Sequence, residues 1–460
     1  MNLLLMTDSY KAGHARLYPP DLTSLYCYVE SRGGKFPATV FFGLQYYILK
    51  YLSHCVTLDD VDEAEAFWTA HFGRNDVFDG GSWRRLVRTH GGNLPLQIKA
   101  VPEGTLVPTG NVLMTIESTD PDFAWLPTFV ETLLLKLWYP TTIATQSFSI
   151  RQRIQHWYQQ TGTPMESLEF ACHDFGYRGV SSEETAGLGA AAHLLSFNGT
   201  DTVAGIRLLA DYYRGGMSGF SIPATEHSII TSFRTEAMAY GHLLDTFPSG
   251  FVACVSDSHD IYSATEHLWG EEFHDRIMGR DGRLVVRPDS GDPNVVVPEV
   301  LKILGSKFPV RRNEAGFVTL TDQVRVIQGD GMDHDSINEL YAAIVAEGWT
   351  ADNLVVGSGG GLLQHVNRDT CRIVLKASQA SYADGTVRSI QKTPITDSGK
   401  HSKPGRLKLV EHGDGGFSTV SDVLDPDFHL LEDALQTVYF NGAISPMQSL
   451  DEVRARVRAS

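Results

Sequence analysis

The sequence predicts an irregular α/β barrel with a second, mostly β domain that is built from both the N- and C-terminal parts of the chain. Three observations support this fold class: a strand-and-helix rhythm in the middle of the chain, polar residues after most of its apolar runs, and short strand-like runs near both ends. At roughly 100–200 residues per domain, a chain of this length suggests two or three domains. We place the discontinuous β-rich domain at residues 1–160 plus 379–460 and the barrel at residues 161–378.

The barrel is predicted from eight short apolar runs that are joined by mostly helical connections. These runs are Leu168–Cys172, Leu194–Phe197, Gly219–Ile222, Phe251–Val255, Leu284–Arg287, Val324–Ile327, Leu354–Val356 and Ile373–Leu375. The second and third runs are weak strands, and for this reason we expect an irregular barrel.

Polar or glycine-rich residues follow most of these runs. They are His173-Asp174, Asp201, Glu226-His227, Asp257, Asp289, Asp330 and Gly359–Gly361. In α/β barrels the loops after the strand C-termini form the active site. Any single loop is explained equally well by the preference of Asp and Gly for turns, but the repetition at the same position favours a site.

The ends of the chain have a different pattern. Strand-like runs with tight turns predict antiparallel strands at Leu96–Ala100, Thr105–Val107, Val112–Ile116, Arg406–Val410 and Phe417–Val420. Between them, Ala124 to Gln160 is a long helical region, which we expect to break near Pro140. We expect the C-terminal strands to pack with the N-terminal sheet.

Composition narrows the class of protein. The formal net charge of −17 argues against a nucleic-acid-binding module, which would carry a basic face. Five cysteines without metal-ligand spacing are typical of a reduced, intracellular protein. The apolar start is interrupted by Asp8 and Lys11, so we expect neither a signal peptide nor a membrane span, and a cytoplasmic location.

Several clusters have the chemistry of a phosphate and sugar site. Gly357–Leu362 combines a strand end, a glycine turn and a helix start, which suits a phosphate, although a plain helix-start turn has the same pattern. Arg287 and Asp289 stand at one strand end and Asp330 on the neighbouring loop, and the two carboxylates could hold ribose hydroxyls or a hydrated Mg²⁺. A basic run around Lys400 is either a solvated surface or a pyrophosphate site.

An acid stands beside a histidine at Glu226-His227. Histidine can act as a nucleophile toward phosphoryl groups, and a neighbouring carboxylate can orient it. A lone histidine is more often structural, so the Glu226-His227 pair alone does not show whether His227 is catalytic or structural.

Taken together, these motifs resemble the nicotinamide phosphoribosyltransferases of the type II phosphoribosyltransferase family. The resemblance covers nearly the whole chain in order. Its motifs are Thr7–Lys11, His173–Gly179, Ser181–Gly187, Gly199–Thr202, Pro223–Ser228, Arg287–Gly291, Gln328–Gly331 and Gly357–Leu363. It implies an irregular barrel with a mostly β domain, and a homodimer with two active sites at the interface.

The resemblance implies how the base is bound. Phe175, together with Tyr10 from the other subunit, should sandwich the nicotinamide ring, and Asp201 should accept a hydrogen bond from its amide. Arg178 should bind near the ring and the phosphate. An aromatic sandwich suits a flat ring, and it suits the cationic pyridinium product better still.

The resemblance also implies roles for the sugar and phosphate residues. Asp289, Gly329 and Asp330 should bind the ribose, and Arg287 and Asp257 should contact phosphoribosyl pyrophosphate or its Mg²⁺. The 5′-phosphate region should be bound by Gly359, Gly360, Arg368 and Lys376. The pyrophosphate or the ATP phosphates should be bound by Arg32, Lys392 and Lys400. His227, with Glu226 nearby, should be the histidine that ATP phosphorylates. The Mg²⁺ ligands stay open, with Asp257 and Asp289 as candidates.

Asp201 favours nicotinamide over nicotinate, because a carboxylate accepts from an amide NH₂ but repels the carboxylate of nicotinate. Nicotinate phosphoribosyltransferase is the alternative within the same fold. Between Phe36 and Val40 the chain lacks the longer charged insertion that vertebrate relatives have, and it has His259 where a Tyr is more usual. Neither departure removes a catalytic position. A barrel enzyme acting on other sugar phosphates would not explain Phe175, Asp201 and His227 together, and a non-catalytic binding protein would be expected to lose these charged residues.

Overall fold

The computed structural model describes residues 2–391 and 402–460. Its strands are β1 Leu22–Ser31, β2 Ala38–Val40, β3 Leu96–Ala100, β4 Leu106–Pro108, β5 Val112–Ser118, β6 Cys172–Asp174, β7 Gly199–Thr200, β8 Gly250–Val255, β9 Gly282–Arg287, β10 Val310–Arg312, β11 Val318–Leu320, β12 Val324–Gln328, β13 Leu354–Ser358, β14 Ile373–Tyr382, β15 Val387–Ser389, β16 Leu407–Glu411, β17 Phe417–Ser421, β18 Gln436–Phe440 and β19 Ala443–Ile444.

The α-helices are α1 Leu44–Tyr47, α2 Leu58–Phe72, α3 Gly80–His90, α4 Leu126–Phe129, α5 Glu131–Leu134, α6 Trp138–Thr161, α7 Glu183–His193, α8 Val203–Tyr213, α9 His227–Ser232, α10 Glu236–Thr246, α11 Ile261–Ser263, α12 His274–Met278, α13 Pro293–Lys307, α14 His334–Ala346, α15 Gly360–Leu363 and α16 Leu450–Ala459. Short 3₁₀ and π-helical segments join them, of which Ser9–Arg16 and Ala264–Glu272 are examples. In the described part of the chain, no helix is long and apolar enough to cross a membrane.

The chain forms two compact units. The first consists of the described residues within Met1–Thr145, Tyr212–Arg214 and Asn367–Ser460, and the second consists of Gln146–Asp211 and Gly215–Val366. The sequence-based boundaries, 1–160 plus 379–460 and 161–378, lie 12 to 15 residues further along the chain than these.

Contacts within each unit explain the shift. From Gln146 onward, α6 belongs to the second unit, where the Gln146 amide donates to the carbonyl oxygens of Gly361 and Leu362, both at 3.1 Å. At the second boundary, β14 pairs antiparallel with β1 of the first unit. The prediction that Ile373–Leu375 is a barrel strand is therefore wrong, because an apolar run does not reveal which sheet it will join.

The first unit contains a seven-stranded antiparallel sheet in the order β15-β14-β1-β5-β3-β18-β19. The three N-terminal strands β1, β5 and β3 form the centre of this sheet, and two C-terminal strands flank them on each side. The expectation that the C-terminal strands pack with the N-terminal sheet is confirmed. The helical region Ala124 to Gln160 is broken just before Pro140, as expected, because α4, α5 and the 3₁₀ turn Leu135–Leu137 precede α6, which begins at Trp138. Pro140 lies in the first turn of α6, where its missing N–H breaks no helical hydrogen bond.

The second unit contains a curled parallel sheet in the order β7-β6-β13-β12-β9-β8. Both of its edges bond to one extended segment, Phe220–Thr225. The Thr200 N–H donates to the Phe220 carbonyl at 3.0 Å, and the Thr225 N–H donates to the Ala253 carbonyl at 3.1 Å. This segment completes the ring with isolated bridges rather than a regular strand, and the predicted irregular α/β fold is confirmed.

Four of the predicted barrel strands match β8, β9, β12 and β13 within a few residues. The predicted strand Leu194–Phe197 is wrong, because these residues form the turn that ends α7, and the strand begins at Gly199 instead. The predicted strand Leu168–Cys172 is mostly a 3₁₀ helix, Met165–Phe170, and β6 follows it.

Candidate active site

A cavity of about 1400 Å³ occupies the interior of the curled sheet in the second unit. Its middle is apolar: Ala253, Val285 and Ile327 form a small cluster with Phe175, Ile222 and Val355 packed against it. Polar and charged side chains line the cavity on either side of this apolar middle. Those at the carboxyl ends of the strands are Arg178, Asp201, Glu226, His227, Arg287, Asp289 and Asp330, and those near the amino ends include Arg283, Arg325 and Asp352.

Phe175 lies against glycine backbone at the carboxyl end of the sheet. Its N–H donates to the Ser358 carbonyl at 2.9 Å, which fixes the main chain beside β13. A Cβ on Gly357 would lie 2.1 Å from its ring, and a Cβ on Gly329 would lie 3.1 Å from it. The ring therefore occupies space that only glycine leaves open, and one aromatic face borders the cavity.

Asp201 stands on the loop that follows β7 and lines the same cavity as this ring. Its carboxylate accepts a hydrogen bond from the Ser221 hydroxyl, and its N–H donates to the Asp174 carbonyl at 2.9 Å. The side chain is exposed to the cavity, so its second oxygen can accept from a bound molecule. An aromatic face beside a carboxylate acceptor suits a flat ring that carries an NH₂ group.

Asp174, at the end of β6, is fully buried. Its carboxylate accepts from the Gly176 N–H at 2.7 Å and from the Thr200 hydroxyl at 3.0 Å. Burial raises the pKa of Asp174 to about 6, and the nearby Asp201 carboxylate acts in the same direction. The sequence placed Asp174 among the residues after strands but gave it no role, since burial cannot be inferred from one polar position.

His227 begins α9 and faces two carboxylates from neighbouring strands. Its Nε2 lies 3.5 Å from Asp257 Oδ1 and 3.4 Å from Asp289 Oδ2, while its Nδ1 lies 3.1 Å from the Ser258 hydroxyl. Asp257, Asp289 and Ser258 therefore orient the imidazole. Glu226, the neighbour in sequence, is not among these partners of the imidazole.

Glu226 accepts a hydrogen bond from the Ser228 hydroxyl two residues further along the chain, and its side chain lines the cavity. Glu226 and His227 are neighbours in the sequence, but their side chains have different partners. Glu226 is the N-cap residue of α9 and has extended backbone, whereas His227 is the first residue of the helix. Ser258 was the residue missed, and its place directly after Asp257 was the available signal.

Two buried polar atoms beside His227 have no hydrogen-bond partner among the described residues. They are Asp257 Oδ1 and Arg287 Nε. The other oxygen of Asp257 accepts from the Asp289 N–H at 3.0 Å and the Ser290 hydroxyl at 2.6 Å. An unsatisfied carboxylate oxygen and an unsatisfied guanidinium N–H in one place suit a ligand that carries a cation and anionic oxygens.

A Mg²⁺ ion fits this position. It usually binds proteins through one or two carboxylates and takes its other oxygens from phosphates and water. Asp257 and Asp289 meet that requirement, and in the described part of the chain no group of three or more His, Cys, Asp or Glu residues forms a more complete metal site.

The glycine run after β13 borders the same end of the cavity, where Gly359 and Gly360 line it. A Cβ on Gly361 would lie 2.5 Å from the Met332 carbonyl, so this turn requires glycine for close packing against the loop after β12. At the end of β12 the Gln328 amide donates to the Asp330 carbonyl at 2.9 Å, and Gly329 and Asp330 line the cavity.

Four other predicted site residues lie outside the second unit. Tyr10, Arg32, Arg368 and Lys376 belong to the first unit, although Arg368 and Lys376 were expected in the barrel domain. Arg32 donates to the buried Glu30 at 2.7 Å, and Lys403 contacts the same carboxylate. Lys392 and Lys400 lie outside the described residues.

Two family models match the chain. Residues 170–442 match the nicotinate phosphoribosyltransferase (NAPRTase) family, and residues 2–98 match the N-terminal domain of nicotinamide phosphoribosyltransferase. The first match contains the cavity residues from Phe175 to Gly360, and the second contains Tyr10 and Arg32.

Three known proteins are similar over nearly the full length. The chain is 45% identical to a nicotinamide phosphoribosyltransferase of Xanthomonas campestris pv. campestris (strain 8004), covering 100% of this chain and 98% of the relative. It is 30% identical to a nicotinamide phosphoribosyltransferase of Acinetobacter baylyi, covering 99% and 97%. Its fold resembles a nicotinate-nucleotide pyrophosphorylase structure from Pyrococcus furiosus, with a TM-score of 0.65 at 15% identity, covering 100% and 95%.

Proposed function

Because the chain belongs to the nicotinate phosphoribosyltransferase family, we propose that it transfers the phosphoribosyl group of phosphoribosyl pyrophosphate to nicotinamide. The products are nicotinamide mononucleotide and pyrophosphate, as in NAD salvage. The observation that carries the choice of base is the pairing of the Phe175 ring with the Asp201 carboxylate in one cavity.

The chemistry requires few groups from the protein. The pyridine nitrogen forms a bond to the anomeric carbon while the bond from that carbon to the pyrophosphate oxygen breaks, and the electron pair leaves with pyrophosphate. The transition state is oxocarbenium-like, so the main task is to stabilise the departing charge. Arg287, with its unsatisfied Nε, and Arg178 at the rim supply positive charge, and no general base is needed because the pyridine nitrogen is already nucleophilic.

Mg²⁺, when bound, would neutralise the pyrophosphate oxygens. Asp257 and Asp289 would hold it, since they meet at the ends of β8 and β9 and one of their oxygens lacks a partner. Asp330 and Gly329 lie beside them and would bind the ribose hydroxyls. The glycines after β13 would bind the 5′-phosphate with backbone N–H groups, and Arg368 and Lys376 are the proposed side-chain partners of the 5′-phosphate region.

We also propose that ATP phosphorylates His227. An imidazole nitrogen would attack the γ-phosphorus, the bond to the ADP oxygen would break, and water would later release phosphate. Two carboxylates at 3.4 and 3.5 Å from Nε2 and a hydroxyl at 3.1 Å from Nδ1 support an oriented, reactive ring. Arg32, Lys392 and Lys400 are the proposed partners of the ATP or pyrophosphate phosphates.

We also propose that two copies of the chain form a homodimer in which each active site contains residues of both copies. Tyr10 supports it, because this aromatic side chain is 63% exposed on a 3₁₀ segment that is firmly anchored within the first unit. Next to it, Lys11 pairs with Glu131 and also donates to the Thr128 carbonyl at 3.0 Å. A cytoplasmic location is proposed because all five cysteines are free thiols.

Product analysis by mass spectrometry tests the activity. Purified protein is given phosphoribosyl pyrophosphate and Mg²⁺ with either nicotinamide or nicotinate, each with and without ATP. We expect nicotinamide mononucleotide as the preferred product and faster formation with ATP. Product from nicotinate alone would favour the nicotinate phosphoribosyltransferase alternative, and no product from either base would refute the transferase assignment.

The His227→Ala variant tests the role of ATP. We expect it to keep part of the ATP-independent transferase rate but to lose stimulation by ATP, because the phosphoryl acceptor is gone. The measurement compares initial rates with and without ATP, and the exposed His267→Ala serves as the matched control. If His227→Ala is still stimulated by ATP, the phosphohistidine proposal fails.

A further inference from the structure

One buried carboxylate links the two loops that form the base pocket. We propose that Asp174 is a positioning residue that sets the distance between the Phe175 ring and the Asp201 carboxylate, and thereby the affinity and selectivity for nicotinamide. This inference rests on the proposed function, since it assumes that nicotinamide lies between these two side chains.

The hydrogen bonds of Asp174 divide between the two loops. On one side its Oδ1 accepts from the Gly176 N–H at 2.7 Å, which holds the turn that carries Phe175. On the other side its Oδ2 accepts from the Thr200 hydroxyl at 3.0 Å, next to Asp201. Asp174 itself does not line the cavity, so it acts only through these neighbours.

The Thr200 hydroxyl extends this link further into the second loop. It accepts a hydrogen bond from the Thr202 N–H at 2.9 Å while it donates to Asp174, so the carboxylate fixes the main chain on both sides of Asp201. The Asp201 N–H also donates to the Asp174 carbonyl at 2.9 Å. The acceptor for the substrate amide is therefore tied to the stacking ring through a single residue.

The negative charge of Asp174 makes its burial costly, and a neutral side chain at this position would have a smaller desolvation penalty. Burying a carboxylate is unfavourable unless it is well hydrogen-bonded. Burial raises the pKa of Asp174 to about 6, the Asp201 carboxylate adds to the effect, and the neighbouring imidazole of His173 has a pKa that burial lowers. The charge on Asp174 is thus unfavourable for folding, but a charged acceptor can bond two donors from different loops at once.

The Asp174→Asn variant separates positioning from stability. An Asn oxygen can still accept from the Gly176 N–H. The NH₂ group of the Asn would face the Thr200 hydroxyl, whose O–H must then point away from residue 174. We expect the Asp201 loop to loosen while the Phe175 turn stays in place. The result should be a nicotinamide KM raised by about tenfold and a reduced preference over nicotinate, with kcat changed by less than about threefold.

Thr200→Val is the second variant, because it removes the same hydrogen bond and leaves the charge of Asp174 intact. Thr265→Val is the matched control: Thr265 is a buried threonine of the same unit, outside the cavity, whose hydroxyl donates to the Ile261 carbonyl at 2.6 Å. For each protein we would measure nicotinamide Kd by calorimetry, KM and kcat for both bases, KM for phosphoribosyl pyrophosphate, and the thermal transition temperature.

The inference is supported if Asp174→Asn and Thr200→Val both weaken nicotinamide binding and selectivity, while Thr265→Val does not and Asp174→Asn melts no lower than the wild type. It is overturned if either folded variant keeps the wild-type Kd and preference, or if the control changes them equally. Wild-type protein that binds nicotinamide but forms no product would count against the proposed function alone, since the Kd comparison would still stand. Wild-type protein that does not bind nicotinamide would overturn both.

Discussion

Asp201 is the residue on which we propose that base selection depends. Its carboxylate faces the cavity and already accepts one hydrogen bond, from Ser221. An NH₂ group can donate to the remaining oxygen, whereas a substrate carboxylate would meet a like charge. Like charges near a protein surface repel by roughly 1 kcal/mol or more, and the repulsion increases when a bound ring excludes water.

We therefore expect Asp201→Asn to lower the preference for nicotinamide over nicotinate by at least about fivefold. The measurement is the ratio of kcat/KM for the two bases, with Asp292→Asn as the control, because Asp292 caps α13 in the same unit and does not line the cavity. An unchanged ratio in Asp201→Asn would show that another group selects the base.

Asp174 is a second single residue with a testable effect: we expect its raised pKa to make the free energy of unfolding depend on pH. Burial raises its pKa from 3.8 to about 6, so between these values the folded protein binds more protons than the unfolded chain. The corresponding stabilisation, about 3 kcal/mol, is complete below about pH 4 and is lost as the pH rises through about 6.

Urea unfolding of the wild type and of Asp174→Asn from about pH 4 to about pH 7 measures this effect. We expect the free energy of unfolding of the wild type to fall relative to that of the variant as the pH rises, because the other titrating groups cancel in the difference. A difference that does not vary with pH would mean that the pKa of Asp174 is not raised.

At the scale of the elements, the sequence predicts best those strands that are buried on both faces. β8, β9, β12 and β13 are nearly continuous apolar runs, as central parallel strands are, and were predicted within a few residues. β6 and β7 have only three and two residues, too few for a pattern, and β14 resembles a barrel strand until its partner β1 is known. The cavity-lining residues that follow these strands could be predicted because each apolar run shows where its strand ends. The partners of His227 could not be predicted, because they depend on which strands are neighbours in the sheet.

β13 carries a second prediction at this scale, because Phe175 lies across it. A Cβ on Gly357 would approach two ring carbons of Phe175 to 2.1 and 2.3 Å, so the ring must move in Gly357→Ala. Overpacking of this kind costs about 1–3 kcal/mol of stability, and displacement of the ring should raise the nicotinamide KM about tenfold or more. Steady-state kinetics and thermal unfolding check both effects.

Gly241→Ala in α10 is the control for that substitution. There the nearest atoms to an added Cβ are ring carbons of Phe273 at 3.6 Å, an ordinary contact, and alanine favours a helix. If Gly357→Ala binds nicotinamide as tightly as Gly241→Ala does, the Phe175 ring is not the stacking partner of the base.

At the scale of the whole molecule, the first unit unites both ends of the chain. In its sheet, C-terminal strands flank a central group of N-terminal strands on both sides. Residues Tyr212–Arg214 add a further link, since the Tyr213 hydroxyl donates to the buried Glu103 carboxylate at 2.8 Å and the Gln45 amide donates to the Tyr212 carbonyl at 2.6 Å. The sequence predicted the discontinuity from two patches of strand-like pattern. It could not predict this link, because a three-residue contact at the end of α8 leaves no periodic signal.

The proposed sharing of sites between two copies of the chain makes a prediction for mixed assemblies. Phe175 lines the cavity of the second unit, whereas Tyr10 belongs to the first unit and is exposed. If each site takes Phe175 from one copy and Tyr10 from the other, a mixed dimer of Tyr10→Ala and Phe175→Ala chains contains one doubly altered site and one intact site. Each variant alone should be strongly impaired, since its every site lacks one aromatic face.

Co-refolding the two variants at equal concentration, with different affinity tags to isolate the mixed species, measures this directly. With random pairing in a two-fold symmetric dimer, about half of the dimers are mixed, so the unfractionated mixture should recover about one quarter of the wild-type activity. The isolated mixed dimer should recover about half. Mixed dimers that are no more active than the two parents would show that Tyr10 and Phe175 serve the same site from one chain, or that Tyr10 does not contact the base at all.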